Sequence, residues 1–156
     1  MQESSRTFRI AAPIEKVFNF VKDVEQVGWC IAGVKEVKAI SPTQSEWKVT
    51  VTAGIISQTI TFKVVLNELK ETSFMSFSGE GRNLKFSGSL ELTAAGPTET
   101  DATFKAVVEA TGAFARLIDL IMGNTADKLA EETVQKIKAR LEDPTMAAGG
   151  STSISG

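Results

Sequence analysis

The longest regular pattern in the sequence covers residues 112–141, GAFARLIDLIMGNTADKLAEETVQKIKARL. Apolar residues recur there every three or four positions, the spacing that aligns side chains along one face of an α-helix. They are Phe114, Leu117, Ile118, Ile121, Leu129, Ala130, Val134, Ile137 and Leu141. At 1.5 Å per residue such a helix would extend roughly 45 Å, enough to cross a domain of this size. The pattern predicts one long helix that covers the surface built by the preceding residues.

The two halves of this predicted helix differ in character. Residues 113–122 are apolar almost all round, interrupted by Arg116 and Asp119, whereas residues 127–142 are amphipathic. An amphipathic helix needs one buried stripe, but a helix that is apolar all round has more apolar surface than one face can bury. We therefore expect residues 114–122 to meet a ligand, a partner chain or a lipid surface.

The residues before this helix predict a sheet. Several runs alternate between polar and apolar residues, which is typical of half-buried strands. Pro13 begins a short helix, and Asp23 caps a second one that Gly28 ends. The order is one strand, two short helices, about six strands at hairpin spacing and the long helix. It predicts an α+β fold in which a strongly curved antiparallel sheet of about seven strands wraps around the C-terminal helix. The clearest alternation places Leu84, Phe86, Gly88, Leu90 and Leu92 on one face of a strand.

Length and composition are those of one globular domain. With 156 residues, of which 42% are apolar and 23% charged, the chain is long enough to bury a core without disulfides or metals. We expect a single domain at residues 1–143. Residues 144–156 have the composition of a linker, which predicts a flexible tail.

Charge and residue usage argue against several classes of function. A net charge of -2 and a pI near 5.3 provide no broad basic surface for nucleic acid. Without histidine and with one cysteine, the chain alone cannot assemble the usual zinc site or a histidine-dependent triad. No disulfide, metal or cofactor is therefore expected. The sequence start is unlike a signal peptide and no long apolar run is present, which predicts a soluble cytoplasmic protein.

Four pieces of the sequence carry a family resemblance: residues 8–18, Asp23, residues 30–33 (Cys-Ile-Ala-Gly) and residues 53–56 (Ala-Gly-Ile-Ile). They are similar to the CoxG family of carbon monoxide dehydrogenase subunits, a branch of the START-like and polyketide-cyclase-like (SRPBCC) superfamily. The resemblance covers residues 6–141, and Ala32 stands where that family usually has proline. It implies the helix-grip (START/Bet v 1-like) fold and an internal apolar cavity. It also implies an association with a molybdenum hydroxylase and a lipophilic molecule such as a lipid or quinone.

A sheet gripped by one helix can leave an apolar pocket between the two. We predict that inward-facing strand residues form its wall and that the apolar half of the helix closes it. Alternatively, each of these residues is an ordinary member of a filled core. The predicted wall is Trp47, Val49, Phe62, Val64, Phe77, Phe86, Leu90, Phe104 and Val108, closed by Phe114, Leu117, Ile118 and Ile121.

The predicted cavity rim consists of a few polar residues and the one cysteine. Gln58, Ser76 and Arg82 are candidates to orient a polar head group, with Lys85 beside them. Cys30 is placed at the mouth next to Trp29. Cys30 is also compatible with a buried inert thiol, since neither a histidine nor a basic run lies next to it in the sequence.

These observations predict a non-enzymatic carrier or accessory domain for a lipophilic molecule, with no catalytic residue assigned. The resemblance narrows this to an accessory factor of a molybdenum hydroxylase that acts in maturation, membrane recruitment or quinone handling. One alternative is an enzyme of the cyclase or dehydratase type, for which Glu46, Glu80 and Glu109 are the candidate acids. The other is a protein-interaction module, dimeric or at the membrane periphery through the apolar end of the helix.

Overall fold

The computed structural model describes residues 2–53, 55–113, 115–116 and 125–142. One antiparallel sheet holds β1 (Gln2–Ile10), β2 (Val34–Ser41), β3 (Gln44–Ala53), β4 (Ile56–Lys70), β5 (Phe74–Gly81), β6 (Leu84–Gly96) and β7 (Glu99–Ala110). Helices α1 (Ile14–Val21) and α2 (Val24–Cys30) lie between β1 and β2, and α3 (Thr125–Glu142) follows β7. The strands are ordered β1-β7-β6-β5-β4-β3-β2. The predicted α+β helix-grip architecture, with its curved seven-stranded sheet, is confirmed.

The alternation seen in the sequence places one face of the sheet inside the molecule. Along β7 every second residue is buried, and the exposed fraction of these side chains is at most 6%. Along β6 the predicted inner residues Leu84, Leu90 and Leu92 are equally buried. Side chains of successive strand residues point to opposite faces, so the residues between them form the outer face. The inner residues of β7 are Ala102, Phe104, Ala106, Val108 and Ala110.

Helix α2 is longer than the sequence predicts. Its start is as expected, because the Asp23 carboxylate accepts a hydrogen bond from the Glu25 N–H at 3.0 Å. The prediction that Gly28 ends it is wrong, since the helix continues through Cys30. Gly28 instead allows a close approach to the sheet: a Cβ added there would stand 2.9 Å from Cε2 of Trp47. The glycine serves packing inside the helix.

Helix α3 presents the predicted apolar stripe to the core, where Ala130, Val134, Ile137 and Leu141 are buried. Polar contacts fasten both of its ends to β1. Gln2 Oε1 accepts from the Ala126 N–H at 3.0 Å, and Lys138 Nζ donates to the Arg9 carbonyl at 2.7 Å. The remaining part of the predicted helix, Phe114 and residues 117–124, and the predicted tail at 144–156 lie outside the described residues.

The helices cover the two sides of the sheet's inner face. Among the described elements, α3 packs mainly on β1 and β7, and α2 packs on β2 and β3. The central strands β4, β5 and β6 are covered largely by aromatic side chains that they carry themselves. The centre of the inner face is therefore the place to look for a site.

Candidate functional site

Four aromatic rings form a cluster on the central strands. The Trp47 ring lies 5.7 Å from the Phe86 ring in a stacked arrangement with 24° between the planes. Phe62 meets Phe86 edge-on at 4.8 Å, and Phe77 meets Trp47 at 5.6 Å. Offset and edge-to-face contacts of this kind are favourable beyond the burial of apolar area. We call Trp47, Phe62, Phe77 and Phe86 the aromatic cluster.

Two glycines make room for this cluster. Phe77 is the direct cross-strand partner of Gly88, and Gly79 is that of Phe86. A Cβ added at Gly88 would stand 2.5 Å from Cζ of Phe77, and one added at Gly79 would stand 2.5 Å from Cζ of Phe86. Each ring thus occupies the space of the side chain that its partner lacks, as in the aromatic covering of strand glycines. The tripeptide Phe-Ser-Gly occurs at residues 77–79 and again at 86–88.

An apolar cavity of about 50 Å³ lies beside the aromatic cluster. We call it the inner cavity. Its walls come from β3 to β7, from the residue after α2 and from α3. Such a volume suits one or two water molecules, and an apolar cavity of this kind stays dry. The lining residues are Ile31, Val49, Val51, Phe62, Phe77, Leu84, Lys85, Phe86, Ser87, Gly88, Phe104, Ala106, Val107, Val108 and Leu129.

The exposure of the lining residues shows where solvent reaches the inner cavity. Phe77 and Phe104 are each 1% exposed and form its floor. Val51, Phe86 and Leu129 are partly exposed. We call these three residues the mouth. A molecule that enters the interior from this side first meets Phe86, the one member of the aromatic cluster that is not fully buried.

Six of the nine predicted wall residues surround the inner cavity: Val49, Phe62, Phe77, Phe86, Phe104 and Val108. The other three, Trp47, Val64 and Leu90, do not line it. They are fully buried, with at most 1% exposed, and belong to the filled core. The four predicted closing residues Phe114, Leu117, Ile118 and Ile121 lie outside the described residues.

The sequence analysis missed lining residues of two kinds. Ile31 and Leu129 come from helix-adjacent positions that only the tertiary fold brings to the strands. Ala106 was recognised as facing inward, yet its small side chain gave no sign that space remains beside it. The signal that could have located the centre of the site is the repeated Phe-Ser-Gly tripeptide, which places each ring opposite a glycine.

The predicted rim is only partly correct in position. Gln58 is exposed and is the cross-strand partner of Val51 at the mouth. Arg82 is exposed in the turn between β5 and β6. Ser76 is a wrong assignment: it pairs with Ser89 on the outer face, because its neighbours Met75 and Phe77 face inward.

Cys30 is also not a rim residue. It is 1% exposed, whereas Trp29 beside it is 43% exposed, because consecutive residues of a helix point in different directions. Burial raises the pKa of the Cys30 thiol from 9.0 to about 11. Only a small fraction of this thiol is ionised at neutral pH, and the thiolate is the reactive form. The structure therefore favours the interpretation of Cys30 as an inert core residue.

The three candidate acids of the enzyme alternative lie on the outer face. Glu46 alternates with the buried Trp47, Glu80 with the buried Gly79, and Glu109 with the buried Val108. Each belongs to one row of cross-strand partners whose charges alternate across six strands, an arrangement that stabilises a solvated sheet face. The row is Lys38, Glu46, Lys63, Glu80, Lys85 and Glu109.

A larger concavity of about 490 Å³ lies on the outer face next to this row of charges. Its floor is small because Ser78 and Ser87 are cross-strand partners there. Lys85 Nζ lies 3.4 Å from Glu80 Oε2, so two of the surrounding charges already pair with each other. We therefore regard this concavity as an open surface trough and the inner cavity as the candidate site.

Neither a metal centre nor a membrane-spanning helix is found in the described part of the chain. No group of three or more cysteine, aspartate or glutamate side chains there is placed to hold a metal ion. Across residues 2–53, 55–113, 115–116 and 125–142, no helix combines the length and apolarity that crossing a membrane requires.

The curved seven-stranded sheet and its helices define the class of START-like, helix-grip domains. Within that class the chain belongs to the CoxG family of carbon monoxide dehydrogenase subunits, whose family model matches residues 7–142. The resemblance deduced from the sequence is thereby confirmed. A search of curated proteins finds no match.

Solved structures share the fold at low sequence identity. A conserved protein from Geobacillus kaustophilus has a TM-score of 0.72 at 17% identity, covering 90% of this chain and 95% of that one. A START superfamily protein from Mycobacterium smegmatis has a TM-score of 0.71 at 19% identity, with coverages of 93% and 100%. The Zhui aromatase/cyclase from a Streptomyces species has a TM-score of 0.64 at 14% identity, with coverages of 96% and 99%. At these identities the likeness concerns the fold.

Proposed function

We propose that this domain binds a lipophilic molecule in its interior and serves as an accessory factor of a carbon monoxide dehydrogenase or related molybdenum hydroxylase. The observation that carries the first part is the inner cavity, whose inward-facing side chains are all apolar. A site of that composition binds by apolar burial and offers no group for acid-base chemistry. Membership of the CoxG family supports the second part.

An enzymatic role is a weaker candidate for the same interior. A cyclase or dehydratase needs an ionisable group near its substrate to move protons. The acids considered for that role, Glu46, Glu80 and Glu109, belong to the outer face. An aromatase/cyclase shares the fold, but its likeness at 14% identity does not extend to a reaction.

Native mass spectrometry of the protein incubated with a bacterial lipid extract tests ligand binding. We expect one apolar molecule per chain, and we expect Ala106→Leu to lose it, because Ala106 lines the inner cavity and is 2% exposed. Thr103→Leu, on the outer face of the same strand, is the matched control and should retain the molecule. If the wild-type chain retains nothing from the extract, lipophilic binding is refuted.

The accessory role needs a separate measurement. Isothermal titration of the protein into purified carbon monoxide dehydrogenase should give saturable binding, with a molybdenum-free protein of similar charge as the control. Heat signals that are the same for both would contradict the association while leaving the ligand-binding proposal intact.

A further inference from the structure

The inner cavity is too small for the molecule that the proposed function requires. It measures about 50 Å³, whereas pockets for small organic ligands measure roughly 300–1,000 Å³. Because protein interiors are close-packed, a ligand can enter only if a side chain that lines the cavity gives way. The question is which of the described lining residues can move.

Phe86 is the aromatic residue whose displacement costs least. Trp47 is 0% exposed, Phe77 1% and Phe62 3%, so moving any of these rings would open the packed core. Phe86 is partly exposed at the mouth and already contacts solvent on one side. A ring that is partly in water loses less apolar burial when it turns outward.

The contact beneath Phe86 also favours movement. The far end of its ring rests where a side chain of Gly79 would stand, 2.5 Å from the position of an added Cβ. Since Gly79 has no side chain, no group interlocks with the ring on that side. Phe77 rests in the same way on Gly88, but it has no access to solvent. Of the two Phe-Gly pairs, the pair at the mouth is the one that can open.

The chemistry of the interior restricts what can replace the ring. The lining residues that face inward are aliphatic or aromatic. Lys85, Ser87 and Val107 alternate with the inner residues of β6 and β7, so their side chains belong to the outer face. A hydroxyl, carbonyl or carboxylate pushed past Phe86 would lose its bonds to water without a side-chain partner. A hydrocarbon group would lose nothing comparable.

We propose that Phe86 decides which molecules enter the inner cavity, and that it gives way to the hydrocarbon end of a ligand whose polar end stays at the mouth. This inference rests on the proposed ligand-binding function. It adds a specific residue, a direction of entry and a class of ligand: amphiphiles with one long apolar end.

The direction of entry is tested with two alcohols of equal chain length, decanol and a decanediol with a hydroxyl at each end. Titration calorimetry should show that the wild-type chain binds decanol at least about tenfold more tightly than the diol, because only the diol must bury a hydroxyl. Equal affinities for both alcohols would overturn the direction of entry.

The role of Phe86 is tested with Phe86→Ala, and with Phe86→Leu should the first variant fail to fold. We expect either variant to bind decanol at least about fivefold more tightly than wild type, because no ring has to be displaced. Phe74→Ala is the matched control, since Phe74 alternates with the buried Met75, faces outward beside Lys70 and should leave the affinity unchanged. Equal affinity of wild type and Phe86→Ala would overturn the gate and leave ligand binding standing. No binding by any variant would refute ligand binding itself.

Discussion

The far end of the Phe86 ring lies in the space of the side chain that Gly79 lacks, where an added Cβ would approach Cζ to 2.5 Å. Phe77 and Gly88 repeat this relationship one pair along the same two strands. The two pairs differ in their access to solvent: Phe77 is 1% exposed, whereas Phe86 is partly exposed. The same local geometry is therefore fixed in one pair and adjustable in the other.

Alanine at each glycine should separate the two pairs by stability. Gly88→Ala forces a buried ring into a filled core, and overpacking of that kind should lower the free energy of unfolding by about 2–3 kcal/mol. Gly79→Ala pushes a ring that can turn toward solvent, so about 1 kcal/mol or less is expected. Urea denaturation of both variants measures the difference. A larger loss for Gly79→Ala than for Gly88→Ala would show that Phe86 is the more tightly held ring.

The hydroxyl of Thr100 should contribute measurably to stability. Thr100 is 0% exposed, and its Oγ1 donates to the Ala12 carbonyl at 2.8 Å. Thr100→Val keeps the shape but removes the donor, which should cost about 1–2 kcal/mol in thermal or urea unfolding. Thr103→Val removes a hydroxyl from the exposed pair with Thr7 and should change stability by roughly 0.5 kcal/mol or less. Equal effects would mean that the buried bond contributes no more than the surface one.

The buried thiol predicts a loss of stability in alkaline solution. Burial raises the pKa of Cys30 from 9.0 to about 11, so between these values the folded chain keeps a proton that the unfolded chain releases. Stability therefore falls as pH rises through this window, by roughly 2–3 kcal/mol in total from this group. Cys30→Ala should lack that component when unfolding is followed from pH 8 to 11. Identical pH profiles for the two proteins would contradict the raised pKa.

The sequence was sufficient for the fold because patterning and local chemistry agree over long stretches. The alternation in β6 and β7 identified the inner face, and Asp23 identified the start of α2. The end of α2 could not be predicted, since glycine usually ends a helix and only the position of Trp47 gives Gly28 a packing role. Local sequence contains no information on that tertiary contact.

The site was predicted less completely for two physical reasons. Wall and core residues share the same composition, so Trp47 and Val64 could not be told from Val49 and Phe62 without knowing where space remains. Rim assignments depend on which face a residue occupies, and a one-residue difference in phase moved Ser76 to the outer face. Cavity volume is a property of the packed molecule, and no sequence pattern specifies it.

The central claim, that an apolar ligand enters beside Phe86, is tested most directly by the fluorescence of Trp47. The chain has two tryptophans, and Trp29→Phe removes the exposed one, leaving Trp47 stacked 5.7 Å from Phe86 as the only reporter. Titration of this variant with decanol should change the Trp47 emission in a saturable manner with one molecule per chain, as the neighbouring ring is displaced. An emission spectrum that stays constant while calorimetry shows decanol binding would contradict the claim.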